Sequence, residues 1–217
     1  MRFDTNASSV RLCAMRAKDP PRSRREEYSE ATRQALLDAG REAFAANGFQ
    51  AAGMEAISRA ARVTRGAFYH HFADKKALFD AVVVAMQRDA AARIEAAARN
   101  ERKIWDRLSA GIDAYLDACE EPDYARIVIQ EAQAVLGEPR YREIEETYPT
   151  ALLIATLRAL KRDGELHADD VDLLSRMIDA MICKIGLLLP HADDSRKLRR
   201  NGQKIVAAVL ETFRQKV

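Results

Sequence analysis

Residues 53–72, GMEAISRAARVTRGAFYHHF, limit the folds open to this chain more than any other stretch. Met54, Ile57, Ala60 and Ala61 fall at i, i+3, i+6 and i+7, so they share one face of a short helix. Arg62-Val63 is an interruption of turn length, and Thr64 is a good N-cap for a second helix opening at Arg65. Val63 and Phe68 are placed to fill the corner between the two helices. A helix, a turn of three or four residues and another helix make the helix-turn-helix, whose second helix enters the major groove of DNA.

The second helix carries side chains suited to that task. Its outward set is Thr64, Arg65, Ala67, Tyr69 and His70. A guanidinium at Arg65 can fork onto guanine O6 and N7, which is worth about 1–3 kcal/mol of discrimination. The hydroxyls of Thr64 and Tyr69 and a ring nitrogen of His70 are donors for phosphate oxygens, which fix register rather than sequence. Gly66 and Ala67 keep the helix slim where it approaches base edges, and Lys75 adds a cation at the start of the next helix.

Gly48-Phe49, Met54-Glu55-Ala56-Ile57, the run AARVTRGAFYHHF over 60–72, and then Lys75 and Leu78 resemble the DNA-binding domain of the TetR family of transcriptional regulators. The resemblance spans 32–82 and implies an all-α protein: a three-helix reading head followed by a helical ligand-binding and dimerisation body. It further implies that Arg33 lies at a position that often touches phosphate. Two positions depart from the family pattern. Ala52-Gly53 stand where Ser or Thr usually opens the second helix, so the hydroxyl contact to phosphate is missing. Arg62 stands where the turn usually has Gly; at positive φ a non-Gly residue costs roughly 1 kcal/mol.

The formal charge is only +2 over 217 residues, so nucleic-acid binding needs a local basic surface rather than bulk charge. Cys13, Cys119 and Cys183 are odd in number and widely spaced, which predicts a reducing compartment without a disulfide frame. Cys119 and Cys183 sit among apolar neighbours and read as buried, space-filling thiols. The sequence has neither an apolar run long enough for a membrane span nor an N-terminal signal core, so a cytoplasmic protein is expected. His70 and His71 are adjacent and diverge by about 100° on a helix, so they do not chelate from one face, and no metal or cofactor is expected. Gly-rich phosphate loops, ligand-spaced His/Cys clusters and nucleophile–base pairs are missing, so enzymatic activity is not expected.

In chain order, residues 1–27 combine Pro20-Pro21 with Arg16, Lys18, Arg22, Arg24 and Arg25. They read as a flexible basic arm preceding a head at 28–75 and a body at 76–217. A first helix is predicted over 29–47, with Ser29 as N-cap, Leu36, Ala39, Ala43 and Phe44 as its apolar stripe, and Asn47-Gly48 as the stop. Phe44 and Phe49 should pack against Ile57, Phe68 and Phe72. Asp74 caps a long helix to about 100 whose first turn belongs to the head and whose remainder reaches into the body. Further helices are expected over 101–120, from Pro122 to Gly137, and over 140–162, where Pro149 demands a kink or a break. Trp105, Tyr115-Leu116-Asp117-Ala118-Cys119, Pro122 and 131–137 also look like the C-terminal domains of one TetR subgroup.

Trp105, Tyr115, Tyr124, Gln130, Glu131, Gln133, Tyr141 and Tyr148 offer aromatic walls with polar handles, the composition of an effector pocket. Two final helices, over 169–189 and 194–213, place Leu174, Ile178, Met181, Ile185, Ile205, Val209 and Phe213 on apolar stripes. Pairing with their copies would give a four-helix dimer interface, and dimers suit half-sites about 34–36 Å apart. The sequence therefore predicts a homodimeric regulator, a repressor that binds a palindromic operator on double-stranded DNA and is released by a small-molecule effector. The competing reading is a DNA-binding scaffold of the same fold controlled by a protein partner.

Overall fold

A computed structural model describes residues 23–215, and these are mostly helical, with no β-strand among them. Helix α1 (Arg24–Ala51) begins earlier than the apolar pattern predicts. Ser23, not Ser29, is its N-cap: the Ser23 hydroxyl accepts from the Glu26 N–H while the Glu26 carboxylate accepts from the Ser23 N–H, a reciprocal capping box. The expected boundary at 27 therefore falls inside a helix, and the rest of the expected arm lies outside the described residues. The predicted stop at Gly48 is present as a break within α1, where φ is 74° and ψ is 168°. Among amino acids that region is nearly exclusive to glycine.

Helices α2 (Met54–Ala60) and α3 (Arg65–His71) follow, joined by a turn in which Arg62 has φ 57°. They pack on α1 and on α4 (Lys75–Arg99) around the buried side chains Leu36, Phe44, Ile57, Phe68 and Leu78. Phe44 and Phe49 meet Phe79 of α4 edge-on, with ring centroids 5.0 and 5.1 Å away, while Phe68 faces Phe72. The aromatic cluster expected inside the head thus extends onto α4. That helix buries one stripe from Leu78 to Ile94 and is common to head and body.

The body comprises α5 (Ile104–Glu120), α6 (Pro122–Tyr124), a π-helical segment (Ala125–Glu131), α7 (Ala132–Leu136), α8 (Glu138–Thr147), α9 (Pro149–Arg162), α10 (Val171–Leu188) and α11 (Ser195–Thr212). The predicted 140–162 helix is two helices: the chain breaks at Tyr148 (φ −113°, ψ −93°), because Pro149 supplies no N–H and opens α9 instead. Pro122 likewise opens α6. At Gly186 an added Cβ would lie 2.7 Å from the Cys119 sulfur, so this small residue sets how closely α10 approaches α5.

Candidate nucleic-acid interface and effector cavity

Local rules fix the recognition helix. Thr64 Oγ1 accepts from the Ala67 N–H at 3.1 Å, so the N-cap hydroxyl holds the first turn of α3. Burying Phe68 on one side leaves Thr64, Arg65, Gly66, Tyr69 and His70 exposed on the other, with Ala67 half-buried. The Arg65 guanidinium lies over the Tyr69 ring at 5.7 Å, which pre-orders both side chains on one exposed face. Nothing caps α2 through a side chain, as the Gly53 position implies.

The two flanking cations act differently from this face. Lys75 donates to the carbonyls of Gln50 and Ala52, each at 3.0 Å, and sits 4.7 Å from the Phe49 ring centre. Its ammonium thus ties the end of α1 to the start of α4 and is only half-exposed. Arg33 lies over Phe72 at 5.3 Å, its stem on the head's core. The adjacent rings of His70 and His71 stand edge to face, and burial lowers the His71 pKa, with the charge of His70 acting the same way. Among the described residues, no group of three or more His, Cys, Asp or Glu side chains is arranged to hold a metal ion.

Head and body are clasped by polar groups from the π segment and α6. Arg126 donates to the carbonyls of Ala45 and Ala46, both at 3.1 Å, at the C-terminal end of the first part of α1. Glu131 accepts from the Phe49 N–H at 2.7 Å, and Arg41 donates to Asp123 at 2.6 Å. The Arg126 and Glu131 contacts satisfy backbone groups that the break at Gly48 leaves open, and the Arg41–Asp123 ion pair adds to the clasp.

Two hollows in the body share a wall made by Tyr115 and Asp179. One, about 360 Å³, has a mostly apolar floor that includes Ile94, Leu108, Leu152 and Ile182, with Thr156 as a polar handle and Glu95, Arg99 and Arg107 at its edge. The other, about 420 Å³, lies between α5, α8, α9, α10 and the π segment and is the polar hollow in that it carries more charged side chains, among them Glu138, Arg142, Glu145, Arg176, Asp179 and Lys184. Of the residues expected in an effector pocket, Tyr115, Gln133 and Tyr141 line it.

The other five expected pocket residues are elsewhere. Tyr124 is core: it is 1% exposed and its hydroxyl donates to Gln87 at 2.8 Å. Glu131 belongs to the clasp, and with Gln130 borders a separate hollow beside Cys119 and Leu189. Trp105 carries Arg214 over its ring at 4.9 Å, and Tyr148 marks the helix break. Helical spacing does not separate a lining aromatic from a core one, because both lie on an inward face.

Glu145 and Asp179, which sequence reasoning missed, face the polar hollow. Burial pushes the Glu145 carboxyl up to about 7, and burial raises that of Asp179 as well. Asp179 did leave a trace in the sequence, as a lone acid inside the apolar run MIDAMICKIGLLL of α10. The same polar surroundings contain Cys183, whose thiol burial pushes well above its usual pKa; burial takes Cys119 to about 12. Both are free and inert as nucleophiles.

The expected dimer stripe also needs correction. Leu174, Ile178 and Ile185 are buried inside the protomer, Ile178 completely, and Met181, Val209 and Phe213 pack against the same core. Ile205 is 59% exposed, and Met181, Val209 and Phe213 are only half-buried. The exposed apolar side chains of α10 are Leu173, Met177, Leu187 and Leu188, on the next stripe around the helix. Hydrophobicity alone points to the strongest apolar stripe as the interface, whereas the protomer keeps most of it for its own core.

Comparison with known proteins agrees with this geometry. The profile described as bacterial regulatory proteins, tetR family, matches residues 36–82, and that of the tetracyclin repressor-like C-terminal domain matches residues 105–213. The Tn10 TetC protein of Escherichia coli is 29% identical over 85% of this chain and 92% of its own length. The HTH-type transcriptional repressor Rv1474c of Mycobacterium tuberculosis is 27% identical over 80% of this chain and 90% of its own. A crystal structure of a TetR-family transcriptional regulator from Pectobacterium atrosepticum superposes with a TM-score of 0.74, at 28% identity, covering 90% of this chain and 99% of that one. Reading head, connecting helix and helical body thus match the same family, and this chain belongs to the TetR family of bacterial transcriptional regulators.

Proposed function

We infer that this DNA-binding regulator is a homodimeric repressor that reads a palindromic operator and is released from it by a small organic effector. The observation that carries the reading is continuity: α4 begins under the recognition helix at Lys75 and ends at Arg99, beside the cavity that Glu95, Ala98 and Arg99 help to line. A ligand that changes how α4 sits in the body therefore acts on the placement of α3. Moving occupancy a hundredfold requires the ligand to prefer the non-binding arrangement by about 2.7 kcal/mol. Repression is favoured by the likeness to a transcriptional repressor over most of both chains.

Arg65 is assigned to a base edge, Thr64, Tyr69 and His70 to phosphates, and Gly66 and Ala67 to close approach. Lys75 and Arg33 support the head from below. Pairing through the exposed Met177, Leu173 and Ile205 would join two heads in one particle, as half-sites one helical turn apart require. The test is selection of bound fragments from genomic DNA, followed by anisotropy titration of the selected duplex with and without candidate effectors. A palindrome bound by two copies and released by a compound supports the reading. Binding that no compound weakens would favour control by a protein partner.

A further inference from the structure

Glu145 of α8 and Asp179 of α10 approach the polar cavity from different helices, and the Cys183 sulfur lies between them. It is 3.9 Å from Glu145 Oε1 and 4.0 Å from Asp179 Oδ2. Among the described residues neither carboxylate forms an ion pair within 4.0 Å, in a protein whose other acids are widely paired with arginine. Their partners are neutral donors: Thr150 donates to Asp179 at 3.1 Å, and the Tyr141 hydroxyl faces Glu145.

The cations on the same rim make no ion pair within 4.0 Å with either acid, although the charge of Arg176 reaches Asp179. Arg142 is 3.3 Å from Glu138, and Arg176 is paired with Glu146. Lys184 lies exposed at the edge. Burying carboxylates without a directly paired counter-charge is costly, and a contact charge is what an occupant would supply. The rings of Tyr115 and Tyr141 add faces that attract a cation once water is displaced. An anion would add a third negative charge to this site, and a neutral phenol or acyl chain would leave both acids uncompensated. Across the shared wall of Tyr115 and Asp179, the apolar hollow offers Leu108, Leu152 and Ile182 to a hydrocarbon body.

We propose that the effector is an amphiphilic organic cation, its charged head seated between Glu145 and Asp179 and its apolar portion in the adjoining hollow. This rests on the reading of the body as an effector domain, and the two are separable by experiment. Binding such a cation holds Glu145 ionised. With the free carboxyl at about 7, the ionised fraction rises about tenfold between pH 6 and 8, and affinity follows it. The other titratable groups facing the pair are Asp179, Glu138, Glu146, Tyr115, Tyr141, Cys183, Arg142, Arg176 and Lys184. Of these, Asp179 is the other carboxyl that burial shifts toward its neutral form, and it acts in the same direction; burial also holds the protons on Tyr115, Tyr141 and Cys183, which stay neutral from pH 6 to 8.

The test uses the full chain, 4-phenylbutylamine (charged throughout this pH range) and 4-phenylbutanol, its uncharged counterpart of similar size, in calorimetric titrations at pH 6 and 8. The proposal requires the amine to bind at least tenfold tighter than the alcohol at pH 8, and about tenfold tighter at pH 8 than at pH 6. Glu145→Gln should weaken the amine at least tenfold and remove most of the pH dependence, with Asp179→Asn as an independent second variant. Equal binding of amine and alcohol, amine binding indifferent to pH, or no amine binding overturns the proposal. Operator release is scored separately. Amine bound as required with the operator still held would uphold the cavity chemistry and defeat ligand-controlled release. Release by neutral compounds alone would do the reverse.

Discussion

Arg65 and Arg62 lie three residues apart and answer to different physics. Arg65 is exposed and held over Tyr69, so Arg65→Ala should relax preference at one base pair of each half-site, by about 1–3 kcal/mol. Titrations against single-base operator variants measure this; an equal loss on every sequence would reassign Arg65 to the phosphates. Arg62 occupies φ 57° where glycine is at ease. Arg62→Gly should stabilise the fold by up to about 1 kcal/mol in urea unfolding, since relief of the strained backbone exceeds the entropy that glycine adds to the unfolded chain. Glu145 is governed by burial. Burial pushes its folded carboxyl up to about 7 from the 4.5 of an unburied one, so between those values the folded state holds the proton and the unfolded state has lost it. Stability therefore falls as pH rises through this window and levels off above it. Glu145→Gln should accordingly gain stability relative to the parent at pH 8, and much less at pH 5, when unfolding midpoints in urea are compared.

At the scale of elements, the break in α1 and the π segment form one joint. A Cβ at Gly48 would lie 2.6 Å from Glu131 Oε1 and 3.0 Å from an Arg126 nitrogen, in addition to the strain at φ 74°. Gly48→Ala should cost about 1–3 kcal/mol in unfolding free energy from the backbone alone, and should also loosen head from body. Hydrogen exchange of the Phe49 amide, which donates to Glu131, reads the second effect; unchanged protection there would disconnect the clasp from the break. Much of this architecture was legible in the sequence, because it follows short-range rules. Thr64 and Asp74 cap where a hydroxyl and a carboxylate precede a helix, Gly48 breaks one, and Pro149 splits another. Ser23 was missed although Ser23-x-x-Glu26 is a capping box, since the apolar stripe of α1 begins only several residues later. The π segment left no local signal, as such bulges arise from packing and function rather than propensity. Glu145 and Asp179 were passed over because acids in helices are normally solvated.

The whole molecule poses a different problem: which apolar stripe serves the protomer and which would serve the proposed second copy. Hydrophobicity alone ranks Leu174, Ile178 and Ile185 first, and these are the residues the protomer buries. What remains outside is Met177 at 60% exposure, Leu173 at 56% and Ile205 at 59%, too much apolar surface on adjacent helices for an isolated protomer to need. In a two-fold interface every patch meets itself or its mate, so one substitution acts twice. Met177→Glu introduces two like charges into the proposed seam, while Ile178→Glu would place a carboxylate in the protomer's own core. The first should leave helical content and the unfolding transition of the protomer intact, yet weaken dimerisation. If each copy loses about 2 kcal/mol, as interface anchors commonly do, the dimer constant worsens on the order of a thousandfold. Sedimentation at micromolar concentration would then show a protomer that retains its fold and binds the full operator no better than a half-site. Ile178→Glu should instead unfold the body. A Met177→Glu protein that still sediments as a dimer would move the interface off this stripe and would place the two-fold axis on another face of the body.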